Sequence, residues 1–260
     1  MTMYLEEAQT CAVCGAVVQC EVLCSTNSFG SPDLDLRPAE MERSTMDVWL
    51  QECPKCLFVN DRLEHPTPNA KAILASSRYQ QVIADTTVPE LARKFARYAT
   101  LNTEDIEKAG AALLHSAWVC DDEAATERAI AYRSQAADLL LSLQPFEDTE
   151  EQVTLGISVV DVLRRALRFS EAKTLARTLF ALKCVSATQI MGEILEYQCR
   201  LCESGDAACY TVADAETHDE AGLELESKRS RWFWFASLAC VGVVVAIGTA
   251  VVCIQFSEVW

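Results

Sequence analysis

The sequence predicts a mainly α-helical fold: a helical-repeat-like array, preceded by a small β-containing ribbon and followed by one long apolar helix. Three observations predict it. Two C-x-x-C pairs, Cys11/Cys14 and Cys53/Cys56, stand near the N-terminus, with Cys53 lying 39 positions after Cys14. Apolar residues then recur at helical spacing from Ala70 to about Tyr210. Residues 232–256 contain no charged side chain.

Residues 1–64 mix short β-like runs with turn residues. Segments 16–23 and 46–51 read as strands. Segment 28–33 reads as a loop by its Gly30 and Pro32. Residues 65–69 form a linker with two prolines, and Asn69 is placed to cap the helix that follows. The segment 70–210 carries six or seven helices. Thr87 and Glu90 have capping-box spacing, with Thr87 as the cap. Asp148 and Glu151 repeat that form with an Asp cap. Apolar positions keep helical register at Ala129, Ala136, Leu139, Leu140 and Leu143, and again at Leu155, Val159, Val162, Leu163 and Leu167. Segment 163–172 resembles the turn of a helix pair in tetratricopeptide-type repeats, without the full repeat signature.

Residues 211–231 read as an acidic, solvated tether ending in a basic stretch of Lys228, Arg229 and Arg231. The uncharged segment 232–256 reads as a transmembrane helix. A helix of that length reaches about 37 Å, against a bilayer core of about 30 Å. Cations precede it, so the N-terminal domains are expected in the cytoplasm of a single-pass protein of the cell (inner) membrane. Gly242, Ala246, Gly248 and Ala250 would allow close helix approach and a homodimer.

Charge excludes one large class of function. The chain has 38 acidic and 22 basic residues and a net charge of -16. Residues 1–68 hold four basic residues against eleven acidic ones. Nucleic-acid binding needs Lys and Arg to neutralise phosphates, so no nucleic-acid partner is expected.

Thirteen cysteines, an odd number, stand in a chain whose acidic first residues do not form a secretory signal. Metal ligation and free thiols are expected over a disulfide framework. Each C-x-x-C pair makes a knuckle whose backbone N–H groups face the sulfurs. Two knuckles supply four thiolates, Cys11, Cys14, Cys53 and Cys56, the tetrahedral set that Zn²⁺ prefers. Gly15 suits the positive-φ position after the first pair, where the second pair has Leu57. Such a closed site is structural. Buried free thiols and a redox pair are the competing readings. Cys20 and Cys24 are substitute ligands, and Cys199, Cys202 and Cys209 form a further cysteine set on a helical pattern.

Residues 11–15, 25–38, 41–45 and 49–56 together resemble a bacterial family of uncharacterised proteins, domain-of-unknown-function family 2225. The resemblance is dense over 11–60 and diffuse over 70–205. It implies a zinc ribbon followed by tetratricopeptide-like helices, and it implies no activity. Leu57 departs from the glycine expected there.

The loop between the knuckles gathers Asp33, Asp35, Glu40 and Glu42 with Arg37 and Arg43. Such carboxylates can hold a metal or do acid–base work. They can equally form ion pairs that fix a long loop. His65, His115 and His218 are not placed for a triad, and the nine glycines form no phosphate-binding loop. The leading expectation is a membrane-anchored, cytosolic, zinc-binding adaptor or scaffold without catalytic residues, whose helical array engages a protein partner. The alternatives are a metal-dependent enzyme using Asp33, Asp35, Glu40 and Glu42, and a thiol redox protein.

Overall fold

The computed structural model of the chain describes residues 1–217. Two strands open it. β1 (Met3–Thr10) and β2 (Val17–Ser25) form an antiparallel ribbon, with Glu6 opposite Glu21 and Thr10 opposite Val17. β3 (Ser28–Phe29) pairs with β4 (Glu40–Met41), and β5 (Gln51–Glu52) with β6 (Val59–Asn60). The strand expected at 46–51 is corrected. Arg43–Val48 is a 3₁₀ turn, and only Gln51–Glu52 is extended. Trp49 donates its indole N–H to the Thr45 hydroxyl at 2.8 Å, a bond along one turn that an extended chain would not make.

Among the described residues ten helices follow: α1 (Ala70–Leu74), α2 (Ser77–Ala84), α3 (Glu90–Leu101), α4 (Ile106–Asp122), α5 (Thr126–Leu141), α6 (Glu150–Arg165), α7 (Phe169–Phe180), α8 (Lys183–Ala187), α9 (Gln189–Ser204) and α10 (Val212–Thr217). Sequence neighbours pack on one another from α3 to α7, and α9 packs on both α6 and α7. The turns are short and share a device. At the end of α4, Ala125 N–H donates to Cys120 O and Ala124 N–H to Asp121 O, with Ala124 at φ 55. At the end of α6, Arg168 N–H donates to Leu163 O and Leu167 N–H to Arg164 O, with Leu167 at φ 64. Both are Schellman motifs built without glycine. The helix-pair turn expected at 163–172 is this second one. The α4–α5 and α6–α7 pairs also approach closely in the same way. A Cβ on Gly110 would lie 2.7 Å from Leu140, and one on Gly156 would lie 2.8 Å from Leu179.

Several helix starts differ from expectation. Pro89 precedes α3, and the Thr87 side chain bonds Asp85 instead of capping. Pro89 itself takes the cap position and has no side-chain acceptor, so the first turn of α3 has no side-chain cap. Thr149, not Asp148, caps α6 by accepting from Gln152 N–H at 3.4 Å. Asp148 instead receives the N–H groups of Lys183 and Cys184 at the start of α8. Asn69 takes the left-handed conformation before α1 and makes no side-chain cap bond. The start of the expected tether is structured too: Val212 and Ala215 of α10 are buried.

The expectation of a membrane-spanning fold, located in the inner membrane with a cytoplasmic N-terminal part, is corrected. Among the described residues no helix is long and apolar enough to cross a membrane. The longest, α4, has 17 residues and carries Glu107, Lys108, Asp121 and Asp122, whereas a span needs about 20 apolar residues. The segment 232–256, the basic stretch before it and the small residues read as a dimer contact lie outside the described residues. The fold class stands as a helical array with small strand pairs and a four-cysteine cluster.

The acidic loop is built into the array. Asp33 N–H donates to Arg37 O, Leu34 N–H to Tyr210 O, and Val212 N–H to Pro32 O. Leu34 is buried. Asp35 accepts from the Trp118 indole at 2.9 Å and from Arg165 at 3.0 Å, with Arg133 at 3.5 Å. One loop carboxylate thereby joins α4, α5 and α6.

Candidate metal centre

The two C-x-x-C pairs fold identically in hydrogen-bond pattern. Gly15 N–H donates to Cys11 O at 2.9 Å, and Cys11 N–H donates to Ala16 O at 2.8 Å. Leu57 N–H donates to Cys53 O at 2.8 Å, and Cys53 N–H donates to Phe58 O at 2.9 Å. Each knuckle turns through a left-handed residue, Gly15 at φ 70 and Leu57 at φ 60. Leucine adopts this state at a cost, because its Cβ crowds the following carbonyl.

Long-range bonds set the knuckles face to face. Ala12 N–H donates to Leu63 O at 2.8 Å, and the buried Gln9 carboxamide accepts Leu63 N–H at 2.8 Å. These tie the first knuckle to the chain leaving the second. The second is held from the helices. Arg97 of α3 makes a two-pronged pair with Glu52, at 2.8 and 2.7 Å, one residue before Cys53. Tyr79 of α2 donates its hydroxyl to Leu57 O at 2.5 Å.

The four Sγ atoms of Cys11, Cys14, Cys53 and Cys56 all lie within 4.8 Å of one another. The Cys11–Cys56 and Cys14–Cys53 sulfurs are 3.7 and 3.6 Å apart. A tetrahedron with metal–sulfur bonds of about 2.3 Å has edges of about 3.8 Å, so the cluster fits one ion with little adjustment. Cys11 and Cys53 are buried, while Cys14 and Cys56 are half-buried. Chiefly through a hydrogen bond from the Ala16 backbone, the Cys14 thiol is lowered to about 7. Burial pushes the Cys11 and Cys56 thiols up. A cation changes that balance, since a metal displaces protons from all four sulfurs.

Among the described residues the other cysteines stay outside the cluster. Cys20 is buried and donates to Val18 O, and Cys24 is exposed. Cys199, Cys202 and Cys209 do not join a group of three or more metal-holding side chains; among the described residues the group of Cys11, Cys14, Cys53 and Cys56 alone does. Cys209 Sγ instead donates to Asp33 Oδ2 at 3.2 Å. The acidic loop likewise forms no ligand set among the described residues. Asp33 pairs with Arg43 at 2.6 Å, Glu40 accepts from the Ser44 hydroxyl, and Asp35 is enclosed by arginines. Arg37 reaches away from the loop to Asp122 at 2.5 Å.

Sequence reasoning missed the partners of Asp35. Arg165 also binds Asp121 at 2.7 Å, and Arg133 binds Asp121 at 2.5 Å. The signal was present: Arg164 and Arg165 sit among the apolar residues of α6, where a charge is retained when a counter-charge is buried beside it. Arg164, fully buried, pairs with Asp161 at 2.6 Å. No protein-family model, no curated protein and no solved structure matches the chain.

Proposed function

We propose that this chain is a zinc-stabilised adaptor, in which a structural Zn²⁺ at Cys11, Cys14, Cys53 and Cys56 fixes the N-terminal ribbon on a helical array that engages protein partners. The convergence of four sulfurs within 4.8 Å is the observation that carries the metal part. Zinc is chosen because an all-thiolate, tetrahedral set suits it, and a site with four protein ligands leaves no open position for a substrate. The metal would act at a joint: the second knuckle is bonded to α2 and α3 through Tyr79 and Arg97, so filling the site ties the first knuckle, and with it the ribbon, to the helices.

Metal analysis of the purified full chain tests the centre. One zinc per chain is expected, lost in Cys53→Ser and kept in Cys20→Ser and Cys24→Ser. A chain that holds no metal and stays folded under strong chelation overturns the reading. The binding part is tested by crosslinking in cells: partners captured by the wild type and not by Cys53→Ser support an adaptor.

A further inference from the structure

Deepening the binding reading above, on which it rests, we propose that the free edge of β1 takes an extended, basic segment of a partner protein as an added strand. β1 runs for eight residues and, among the described residues, pairs with β2 alone. The far side of β2 is covered, since the Gln51 carboxamide donates to Glu21 O and the 3₁₀ turn packs there. Along the outer side of β1, the N–H and C=O groups that point away from β2 have no backbone partner among the described residues. Proteins usually blunt such an edge with charged side chains, Pro, a bulge or a short strand; β1 has one register irregularity, between Met3 and Tyr4, and its only charges are Glu6 and Glu7. β1 contains neither Lys, Arg nor Pro.

The side chains on this edge describe its occupant. Met3 and Leu5 are each 55% exposed, and Tyr4 is 43% exposed. Glu6 lies directly opposite Glu21, both exposed, and neither has an ion-pair partner among the described residues. Glu7, by contrast, is paired with Arg62 at 2.7 Å. Like charges directly across a ribbon oppose each other, so the ribbon carries an unfavourable pair that a cation from outside would relieve. No Lys or Arg precedes Arg37 in the chain. A second copy of β1 therefore brings no cation to the edge. A partner strand with Lys or Arg beside Glu6, and apolar residues beside Tyr4 and Leu5, satisfies backbone, charge and apolar surface together.

Fluorescence anisotropy on the metal-loaded full chain tests this with synthetic strands. The probes are an alternating Val–Lys peptide, an alternating Val–Glu peptide, and the Val–Lys peptide N-methylated along one edge. The Val–Lys probe is expected to bind at least about tenfold more tightly than Val–Glu. N-methylation, which removes the ladder bonds, is expected to abolish binding. Glu6→Gln with Glu21→Gln, both at exposed positions, is expected to erase the preference between the charged probes. In the wild type, amide exchange at residues 3–8 should slow on adding Val–Lys. Equal binding of the N-methylated probe, or protection confined to the helices, overturns the inference. So does self-association through β1, seen as dimerisation that Leu5→Lys removes. A chain with one zinc that binds no probe defeats strand addition and leaves the metal centre standing. A chain without zinc defeats the adaptor reading itself, and this inference with it.

Discussion

Leu57 stands where Gly15 stands: each is the left-handed residue that closes a C-x-x-C knuckle, at φ 60 and φ 70, and each donates its N–H to the first cysteine's carbonyl. The two positions therefore respond oppositely to substitution. A Cβ on Gly15 meets nothing within 4 Å, so Gly15→Ala tests the backbone alone. It is expected to cost about 1 kcal/mol. Leu57→Gly removes the same strain and is expected to gain up to about 1 kcal/mol, less the chain entropy that glycine adds when unfolded. Urea denaturation of the metal-loaded chain measures both. A loss in Leu57→Gly as large as that in Gly15→Ala would show that Leu57 is retained for its packing.

Asp35 should behave as a structural ion and not as a ligand. Burial alone would raise its carboxyl, but Arg165 and Arg133 outweigh that and hold it below the usual carboxylate range. Asp35→Asn leaves two buried guanidiniums short of a counter-charge, and such breakage costs about 3–5 kcal/mol. Asp121 still holds both arginines, which places the expected loss at the lower end. Zinc content should stay at one per chain in Asp35→Asn and in Asp33→Ala. A second ion that either variant removes would restore the enzyme reading of the loop.

The outcome was legible where the signal was local. Cysteine spacing identified the four sulfurs, because a knuckle is defined by four adjacent residues. Helical periodicity located the long helices: α5 and α6 bury Ala129, Ala136, Leu140, Val159, Val162 and Leu163, while Leu167, counted in the same register, is 52% exposed in the left-handed turn after α6. What was not legible depends on residues far apart in the chain. Nothing near Asp35 in sequence announces Arg165, 130 positions later. The strand expected at 46–51 failed because β-type residues there serve a 3₁₀ turn, with Trp49 placed against Phe95 and His115. β1 escaped notice since its alternation is interrupted by Glu6 and Glu7 side by side.

His115 gives the fold a specific acid sensitivity. It lies among Trp49, Phe95 and Trp118, with ring centroids 5.2, 5.2 and 4.7 Å away. Burial lowers its imidazole to about 4. In the unfolded chain a histidine titrates near about 6.5, so between those values the unfolded state binds the extra proton. Stability contributed by the neutral ring is thus full above about pH 6.5 and falls as pH drops towards 4, by at most about 3 kcal/mol. Acid also strips thiolate metal sites, so the measurement is a difference. The gap in unfolding free energy between wild type and His115→Phe, followed from pH 7 to 4.5, should shift in favour of the variant. A constant gap would mean that the ring is protonated with equal ease in both states.

The Glu6–Glu21 pair makes a prediction about the free protein that needs no ligand. The two carboxylates face each other across β1 and β2 on the exposed side of the ribbon, with Tyr4 opposite Leu23 beside them. Opposed like charges at such positions cost about 0.2–1 kcal/mol relative to a neutral pair. Glu21→Gln should therefore stabilise the chain, and Glu21→Lys should do so further by making an attractive pair with Glu6. Both gains should shrink in about 1 M salt, where screening acts within about 3 Å. Urea denaturation at low and high salt reads the effect. Were Glu21→Lys to destabilise the chain at low salt, the carboxylates would be held apart or already neutralised, and Glu6 would lose its claim on an incoming cation.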